Sequence, residues 1–135
     1  MVAPRCEGGT PDDAASLPSR ITAHNGVQLR STLAGGHDLG ILIEDCVPGS
    51  VRVQRCYANY NNGTGILLQN TDGIELKRNA VAQNTNNGIS LDANSDDNRI
   101  IGNDIHGSTI DVSDAGTGNC WKKNSYTTGT VPSCP

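Results

Sequence analysis

Short apolar triplets separated by polar turn residues recur along most of the chain. In each triplet the outer residues are apolar and the middle residue is usually polar, which is the alternation of a β-strand with one buried face. One series, mostly Gly-Ile-x-Leu, starts at Gly40, Gly65, Gly88 and Thr109, in steps of 25, 23 and 21 residues. A second series keeps the same phase at residues 27–29, 51–53, 74–76, 98–100 and 119–121. A third and sparser column contains Ala34, Ala58, Val81, Ile105 and Tyr126. The pattern therefore predicts three short strands in each repeat.

These repeats predict an all-β fold, a right-handed parallel β-helix solenoid. Helical periodicity is absent, and Gly, Asn, Asp and Ser, which favour turns, stand between the triplets. A unit of 21–25 residues cannot bury its own apolar face, whereas stacked copies give each strand two hydrogen-bonded neighbours and a continuous aliphatic core. The right hand is expected because parallel crossover connections nearly always have it. We expect about four to five coils at residues 26–119, an irregular N-terminal segment or partial cap at 1–25, and a closing segment at 120–135.

Asparagine is frequent, with 14 residues, most of them after residue 58. Two columns of the repeat contain asparagines in register: Asn98 with Asn119, and, after Thr32 and Cys56, Asn79 with Asn103 and Asn124. Stacked side-chain amides can donate and accept hydrogen bonds along the axis of a solenoid. The sequence therefore predicts asparagine ladders between successive coils.

Two stretches carry a family resemblance. Residues 79–84, NAVAQN, followed by GISL at 88–91, form an N-x-V/I-x-x-N-x-x-x-G-I-x-L pattern. This pattern resembles the right-handed parallel β-helix repeat proteins of bacteria, a group that includes carbohydrate-binding and sugar-hydrolysing repeat domains and the periplasmic NosD-like proteins. The segment at 116–134 is similar to the closing segment of secreted members, so the resemblance covers about residues 26–134. It implies the C-terminal coils of a secreted or periplasmic protein that associates with carbohydrate, while the outer side chains decide the function.

Length and charge restrict the classes of partner. At 135 residues the chain is expected to be one domain or the surviving part of a larger one. Its net charge of −4 lacks the basic excess that a nucleic-acid backbone requires. No apolar run approaches the roughly 20 residues that cross a bilayer, so a membrane partner is not expected. The polar N-terminal segment is short for a cap, and an open β-helix end pairs readily with another chain. We therefore expect either further coils upstream or a homo-oligomer formed through that end.

The five cysteines do not have the spacing of a structural zinc site. Cys120 and Cys134 flank the Gly- and Thr-rich end of the chain, which suits a disulfide in an oxidising compartment. Cys6, Cys46 and Cys56 leave one thiol over in any pairing, and the pairing stays open.

Basic residues near the second strand series form a stripe along the predicted axis, at Arg52, Arg55, Lys77, Arg78, Arg99 and Lys122. Two interpretations remain open. As a solvated face, the stripe has charges of alternating sign that limit repulsion between strands about 4.8 Å apart. As a binding face, it holds an acidic polysaccharide, such as a polyuronate, through its carboxylates.

Aspartates form the candidate catalytic and metal sites. Asp72 precedes Asp96 by one repeat, and Asp97 adjoins Asp96, so these carboxylates are expected at equivalent corners of neighbouring coils, as a pair for glycoside hydrolysis. Asn70-Thr71-Asp72 with Asp96-Asp97 is similar to the polygalacturonase pattern, although His106 follows Asp97 too closely for that pattern. Calcium is the one candidate cofactor, with oxygen ligands from Asp92, Asp96 and Asp97.

Three functions therefore remain open. The first is a carbohydrate-associated module that binds a polysaccharide along an outer face. The second is a polysaccharide-processing enzyme, a hydrolase, lyase or epimerase that uses Asp72, Asp96 and Asp97. The third is a structural or assembly element without a small ligand. The sequence does not specify the sugar.

Overall fold

The computed structural model describes three N-terminal strands by their backbone and, with side chains, residues 39–44, 46 and 52–134. All of the regular elements in this described part are strands. They are β1 (Ile21–Ala23), β2 (Gln28–Arg30), β3 (Leu33–Gly35), β4 (Ile41–Glu44), β5 (Arg52–Gln54), β6 (Tyr57–Asn59), β7 (Ile66–Gln69), β8 (Glu75–Lys77), β9 (Ala80–Ala82), β10 (Asn87–Leu91), β11 (Arg99–Ile101), β12 (Asp104–His106), β13 (Ile110–Asp114) and β14 (Cys120–Lys122).

The strands stack into three parallel sheets, which confirms the predicted β-helix. The first sheet has the order β1-β4-β7-β10-β13, the second β14-β11-β8-β5-β2, and the third β12-β9-β6-β3. Strands β4–β12, whose side chains are described, make three turns, so the number of coils differs slightly from the expected four to five. Successive strands of the chain belong to successive sheets, so each turn contributes one strand to each sheet.

The strand registers of the second and third sheets agree with the repeat in the sequence. Leu29, Val53, Leu76, Ile100 and Trp121 are successive partners in the second sheet. In the third sheet Ala34, Ala58, Val81 and Ile105 are successive partners in the same way. Each of the described residues of these columns is buried, since it points inward while its two neighbours in the strand point outward.

The last strand of the first sheet differs from the sequence alignment. The repeat placed Ile110 under Ile89, but Ile89 is the partner of Val112 and Asn87 is the partner of Ile110. The prediction was wrong by two residues. An Ile-x-Val segment has two apolar positions on one face, so its alternation fits either register. In the observed register Ile110 is 43% exposed and Asp111 is buried.

A strand also lies within the N-terminal segment that we expected to be irregular. Ile21–Ala23 forms β1 and pairs in parallel with β4, with Ile21 opposite Ile41. The first sheet thus begins before residue 26, because Ile-Thr-Ala has the same apolar-x-apolar form as the later strands. The rest of residues 1–25 lies outside the described residues.

The core is a thin aliphatic column enclosed by the three sheets. Its large, fully buried side chains are those of Ile41, Ile43, Val53, Ile66, Leu68, Ile74, Leu76, Ile89, Leu91, Ile100 and Ile105. Full burial of one such side chain stabilises the fold by about 1.5–3 kcal/mol. Stacking therefore supplies the burial that a single repeat cannot supply.

Buried asparagines connect the turns at two corners of the solenoid, as the sequence predicted. In the ladder between the second and third sheets, Asn79 donates its side-chain amide to Asn103 Oδ1 at 2.9 Å, and Asn103 donates to Asn124 Oδ1 at 3.0 Å. Asn98 likewise donates to Asn119 Oδ1 at 3.1 Å at the corner between the first and second sheets. No buried side-chain nitrogen or oxygen lacks a partner within the described residues.

The sequence analysis did not identify a third asparagine ladder, at the corner between the third and first sheets. There Asn61 donates its side-chain amide to Asn84 Oδ1 at 2.8 Å. Thr71 and Ser95 also connect successive turns. The backbone amide of Thr71 donates a hydrogen bond to Ser95 Oγ at 3.2 Å. Each corner of the triangle therefore has its own column of polar side chains.

Two aspartates, one buried and one half-buried, hold the closing segment by hydrogen bonds. Asp111 accepts hydrogen bonds from the backbone amides of Thr127 and Thr128 at 2.9 and 3.2 Å. Asp114 accepts from Trp121 Nε1 at 2.7 Å. A disulfide joins Cys120 to Cys134, which confirms that predicted pair. Cys56 is also disulfide-bonded, and its partner lies outside the described residues.

Candidate functional site

The corner between the second and third sheets places cationic side chains at a left-handed backbone position. Arg55, Arg78 and Lys123 have φ angles of 52°, 55° and 57°, and Gly102, in the same column, has a φ of 69°. Backbone hydrogen bonds connect this column to the next turn. The Arg55 amide donates to the Lys77 carbonyl and the Arg78 amide donates to the Ile101 carbonyl, both at 3.1 Å. The side chains of Arg55 and Arg78 therefore leave the solenoid at equivalent points of adjacent turns.

These side chains line a shallow groove. One part of the groove is bounded by Gln54, Arg55, Lys77 and Arg78. The adjoining part extends around the corner onto the third sheet. It is lined by Arg55 and Arg78 together with Cys56, Tyr57 and Ala80. Tyr57 is 53% exposed. We call this surface the corner groove.

The cations of the corner groove form no ion pair with an acidic side chain among the described residues. The ion pairs found there join Arg52 and Arg99 to Glu75, and His106 to Asp104. These ion pairs do not include Arg55, Lys77 or Arg78. The groove thus has a local positive charge on a chain whose net charge is −4.

The structure divides the six basic residues of the predicted stripe into separate rows. Arg52 and Arg99 lie on either side of Glu75 in register, at N–O distances of 3.3 and 3.9 Å, so their charges alternate along the axis. Lys122 is the register partner of Ile101, which in turn pairs with Lys77. The corner groove therefore brings together Arg55, Lys77 and Arg78, while Arg52, Arg99 and Lys122 lie outside it.

The predicted catalytic aspartates lie at another corner, between the first and second sheets. Asp72 and Asp96 are on neighbouring turns, as expected, and the Asp96 amide donates to Asp72 Oδ1 at 2.8 Å. Asp96 Oδ1 in turn accepts the Thr117 amide at 2.7 Å. Asp97 is exposed and has a φ of 55°. The carboxylates of Asp72 and Asp96 thus cap backbone amides of the following turn, and the catalytic role of this group stays a prediction.

The structure does not assemble the predicted calcium ligands into a metal site. Asp92 Oδ1 accepts from Ser95 Oγ at 2.7 Å and from the Asn94 amide at 3.1 Å, as in a polar turn. Asp96 is engaged with Thr117. Across the described residues, no three His, Cys, Asp or Glu side chains are grouped closely enough to hold a metal ion.

The fold and the polar corner ladders define a parallel β-helix protein of the repeat class. The family model described as "Periplasmic copper-binding protein (NosD)" matches residues 19–132, so the chain belongs to the NosD family. This agrees with the predicted resemblance and with a secreted or periplasmic location. The described residues form no helix that is long and apolar enough to cross a membrane.

Two further comparisons are weaker. No match is found among curated proteins. A solved structure titled "Glycoside hydrolase" is similar to the chain with 10% sequence identity and a TM-score of 0.25. The alignment covers 78% of this chain and 37% of the hydrolase chain.

The copper named in the family description does not fit the described residues. Copper sites in proteins use imidazole, thiolate or thioether ligands. Cys56, Cys120 and Cys134 are in disulfides, and no cluster of three metal-binding side chains occurs in the part that the structure describes. His106 is paired with Asp104 on an exposed strand. The described residues therefore do not form a copper site.

Proposed function

We propose that the protein is a carbohydrate-associated β-helix module that binds an acidic polysaccharide in the corner groove. The observation that carries this proposal is the stacking of Arg55 and Arg78 on adjacent turns, in one groove with Lys77 and Tyr57 and without an ion pair to an acidic side chain among the described residues.

The chemistry of these side chains suits carboxylates. A guanidinium presents a planar fork of N–H donors that can bind both oxygens of a carboxylate, and a lysine adds a point charge. Strands of a β-helix repeat about every 4.8 Å along the axis, so cations at equivalent positions form a periodic row. A polymer with regularly spaced carboxylates is the complementary ligand, and a neutral glucan lacks the matching charge.

The backbone conformation fixes where these arginines leave the solenoid. A left-handed conformation costs a non-glycine residue roughly 1–2 kcal/mol, and Gly102 shows that this column accepts glycine. Arg55 and Arg78 nevertheless occupy it on two adjacent turns. Residues after strands at the other corners, such as Tyr60 and Asn70, are left-handed too, so the conformation belongs to the turns and only the choice of arginine here supports the proposal.

Binding of polygalacturonate, measured by calorimetry at several salt concentrations, tests the proposal. Exposed charges are screened over about 10 Å at 0.1 M salt, so affinity should fall steeply with ionic strength, while a neutral glucan should show no such dependence. The double variant Lys77→Gln/Arg78→Gln should lose at least about tenfold in affinity, or roughly 1.4 kcal/mol.

A matched control separates the groove from the total charge. Arg52→Gln/Arg99→Gln removes the same number of positive charges, but from the row in which both arginines pair with Glu75. We expect this variant to bind within about threefold of the parent, because exposed ion pairs contribute little. Equal losses in both double variants would show non-specific attraction to charge. No loss in either would show that the groove is an ordinary solvated face.

A further inference from the structure

The outer face of the third sheet has an ordered row of three different side chains next to the corner groove. Tyr57 is the register partner of Ala80, and Ala80 is the register partner of Asp104. The next residue in each strand, Ala58, Val81 or Ile105, is fully buried. Since side chains alternate across a strand, Tyr57, Ala80 and Asp104 all point outward on three adjacent strands.

We call the surface over Ala80, between Tyr57 and Asp104 in this row, the recess. Ala80 lies between the phenol ring of Tyr57 and the carboxylate of Asp104, and its methyl group is too short to fill the space between them. Tyr57 and Asp104 are two strand spacings apart, or roughly 10 Å. The recess opens into the corner groove, since Tyr57 and Ala80 line it together with Arg55 and Arg78.

The walls of the recess differ in chemistry. The exposed ring of Tyr57 offers an aromatic face for apolar C–H groups, while its hydroxyl stays in water. The Asp104 side chain is 65% exposed and, when ionised, only accepts hydrogen bonds. His106 Nδ1 lies 3.3 Å from Asp104 Oδ1, on the same outer face. This contact orients the carboxylate.

From this arrangement we infer that the recess is a subsite for the ring of one uronate residue, with Tyr57 and Asp104 determining specificity. The inference rests on the proposed function of the corner groove. The sugar carboxylate lies toward Arg55 and Arg78, the C–H face of the ring packs against Tyr57 above Ala80, and ring hydroxyls donate to Asp104. A ligand must have a carboxylate, an apolar ring face and hydroxyl donors to use all of these groups.

Other polyanions use only part of the site. A carboxylate polymer without sugar rings, such as poly-L-glutamate, meets the cations but lacks ring faces and hydroxyl donors for Tyr57 and Asp104. A sulfated glycan places additional negative charge near Asp104, and like charges repel. The recess should therefore discriminate among polymers that the cations alone would bind equally.

Binding of polygalacturonate and of poly-L-glutamate to single variants tests the inference. We expect Tyr57→Ala to weaken polygalacturonate binding about tenfold through loss of the aromatic contact. It should leave binding of poly-L-glutamate unchanged. Tyr60→Ala is the matched control, since Tyr60 is 71% exposed directly after the same strand but does not line the groove. Asp104→Asn should increase the affinity for dextran sulfate relative to polygalacturonate, because it removes the like charge.

The outcomes distinguish the subsite from the groove. Equal weakening of both carboxylate polymers by Tyr57→Ala, or no weakening of either, would overturn the subsite and leave the groove intact. If Lys77→Gln/Arg78→Gln were the one variant that lost binding of both polymers, the subsite would likewise be overturned and the groove would stay intact. A parent protein that binds neither polymer would overturn the proposed function and the subsite together.

Discussion

Asn103 Oδ1 accepts two hydrogen bonds from Asn79, one from its backbone amide and one from its side-chain amide, both at 2.9 Å. Asn103 itself donates to the Leu76 carbonyl at 3.1 Å and makes the same pair of bonds to Asn124. One side chain thus joins three turns of the solenoid. Both Asn79 and Asn103 are 1% exposed, so water does not replace these bonds.

Asn103→Ala should lower the free energy of unfolding by roughly 3 kcal/mol. The substitution leaves the Asn79 amide and the Leu76 carbonyl without their partners, and an unsatisfied buried polar group costs about 1–3 kcal/mol. Denaturant unfolding followed by circular dichroism measures the change. Asn62→Ala is the control, since Asn62 is exposed and should shift stability by less than about 0.5 kcal/mol. Similar values for the two variants would mean that the ladder does not stabilise the fold.

Cys134→Ser should lower the melting temperature under non-reducing conditions. The Cys120–Cys134 bond closes a loop with a sequence separation of 14 residues. A loop of about this length stabilises a protein by roughly 3 kcal/mol, mainly by restricting the unfolded chain. Cys120→Ser should have a similar effect, and the double variant should melt close to either single variant, because all three lack the same bond. An unchanged melt would argue against the bond.

Arg78→Gly should separate stability from binding. At this left-handed position glycine relieves a cost of roughly 1–2 kcal/mol but loses more entropy on folding, so the free energy of unfolding should rise by up to about 1 kcal/mol. Polygalacturonate affinity should fall, since one of the stacked guanidinium groups is removed. Arg99→Gly, in strand β11, is the control and should be destabilised by about 0.5–1 kcal/mol. A variant Arg78→Gly less stable than Arg99→Gly would contradict the argument from backbone strain.

Asp72→Asn and Asp97→Asn should leave polyuronate binding unchanged. These residues lie at the corner between the first and second sheets, away from the corner groove. Asparagine retains an oxygen acceptor for the Asp96 amide, so Asp72→Asn should also fold. Calorimetry and product analysis with polygalacturonate measure the two properties. Turnover by the parent that disappears in both variants, with binding retained, would assign them as acid and base.

The sequence predicted most of the fold because each strand has a short pattern of one or two inward apolar positions. In the second sheet, for example, Val53, Leu76 and Ile100 recur in constant phase and their register was correct. The last strand of the first sheet failed because Ile110 and Val112 are both apolar and lie two residues apart. The observed register places Asp111 where its carboxylate binds the closing segment, a contact that the strand pattern does not contain.

The candidate site was predicted only in part. The spacing of Arg52, Glu75 and Arg99 could have shown that two of the six cations flank one carboxylate, because the three residues share one register row. The continuation of the groove to Tyr57 was harder to foresee. It depends on the left-handed bends at Arg55 and Arg78, and a non-glycine residue gives no sequence signal for such a bend.

The asparagine ladder has a direction along the chain. The Cys56 amide is satisfied by Asn79, the Asn79 amide by Asn103, and the Asn103 amide by Asn124, so each acceptor is synthesised one turn after its donor. The backbone amide at this corner of any turn is therefore satisfied only when the turn that follows it along the chain is in place.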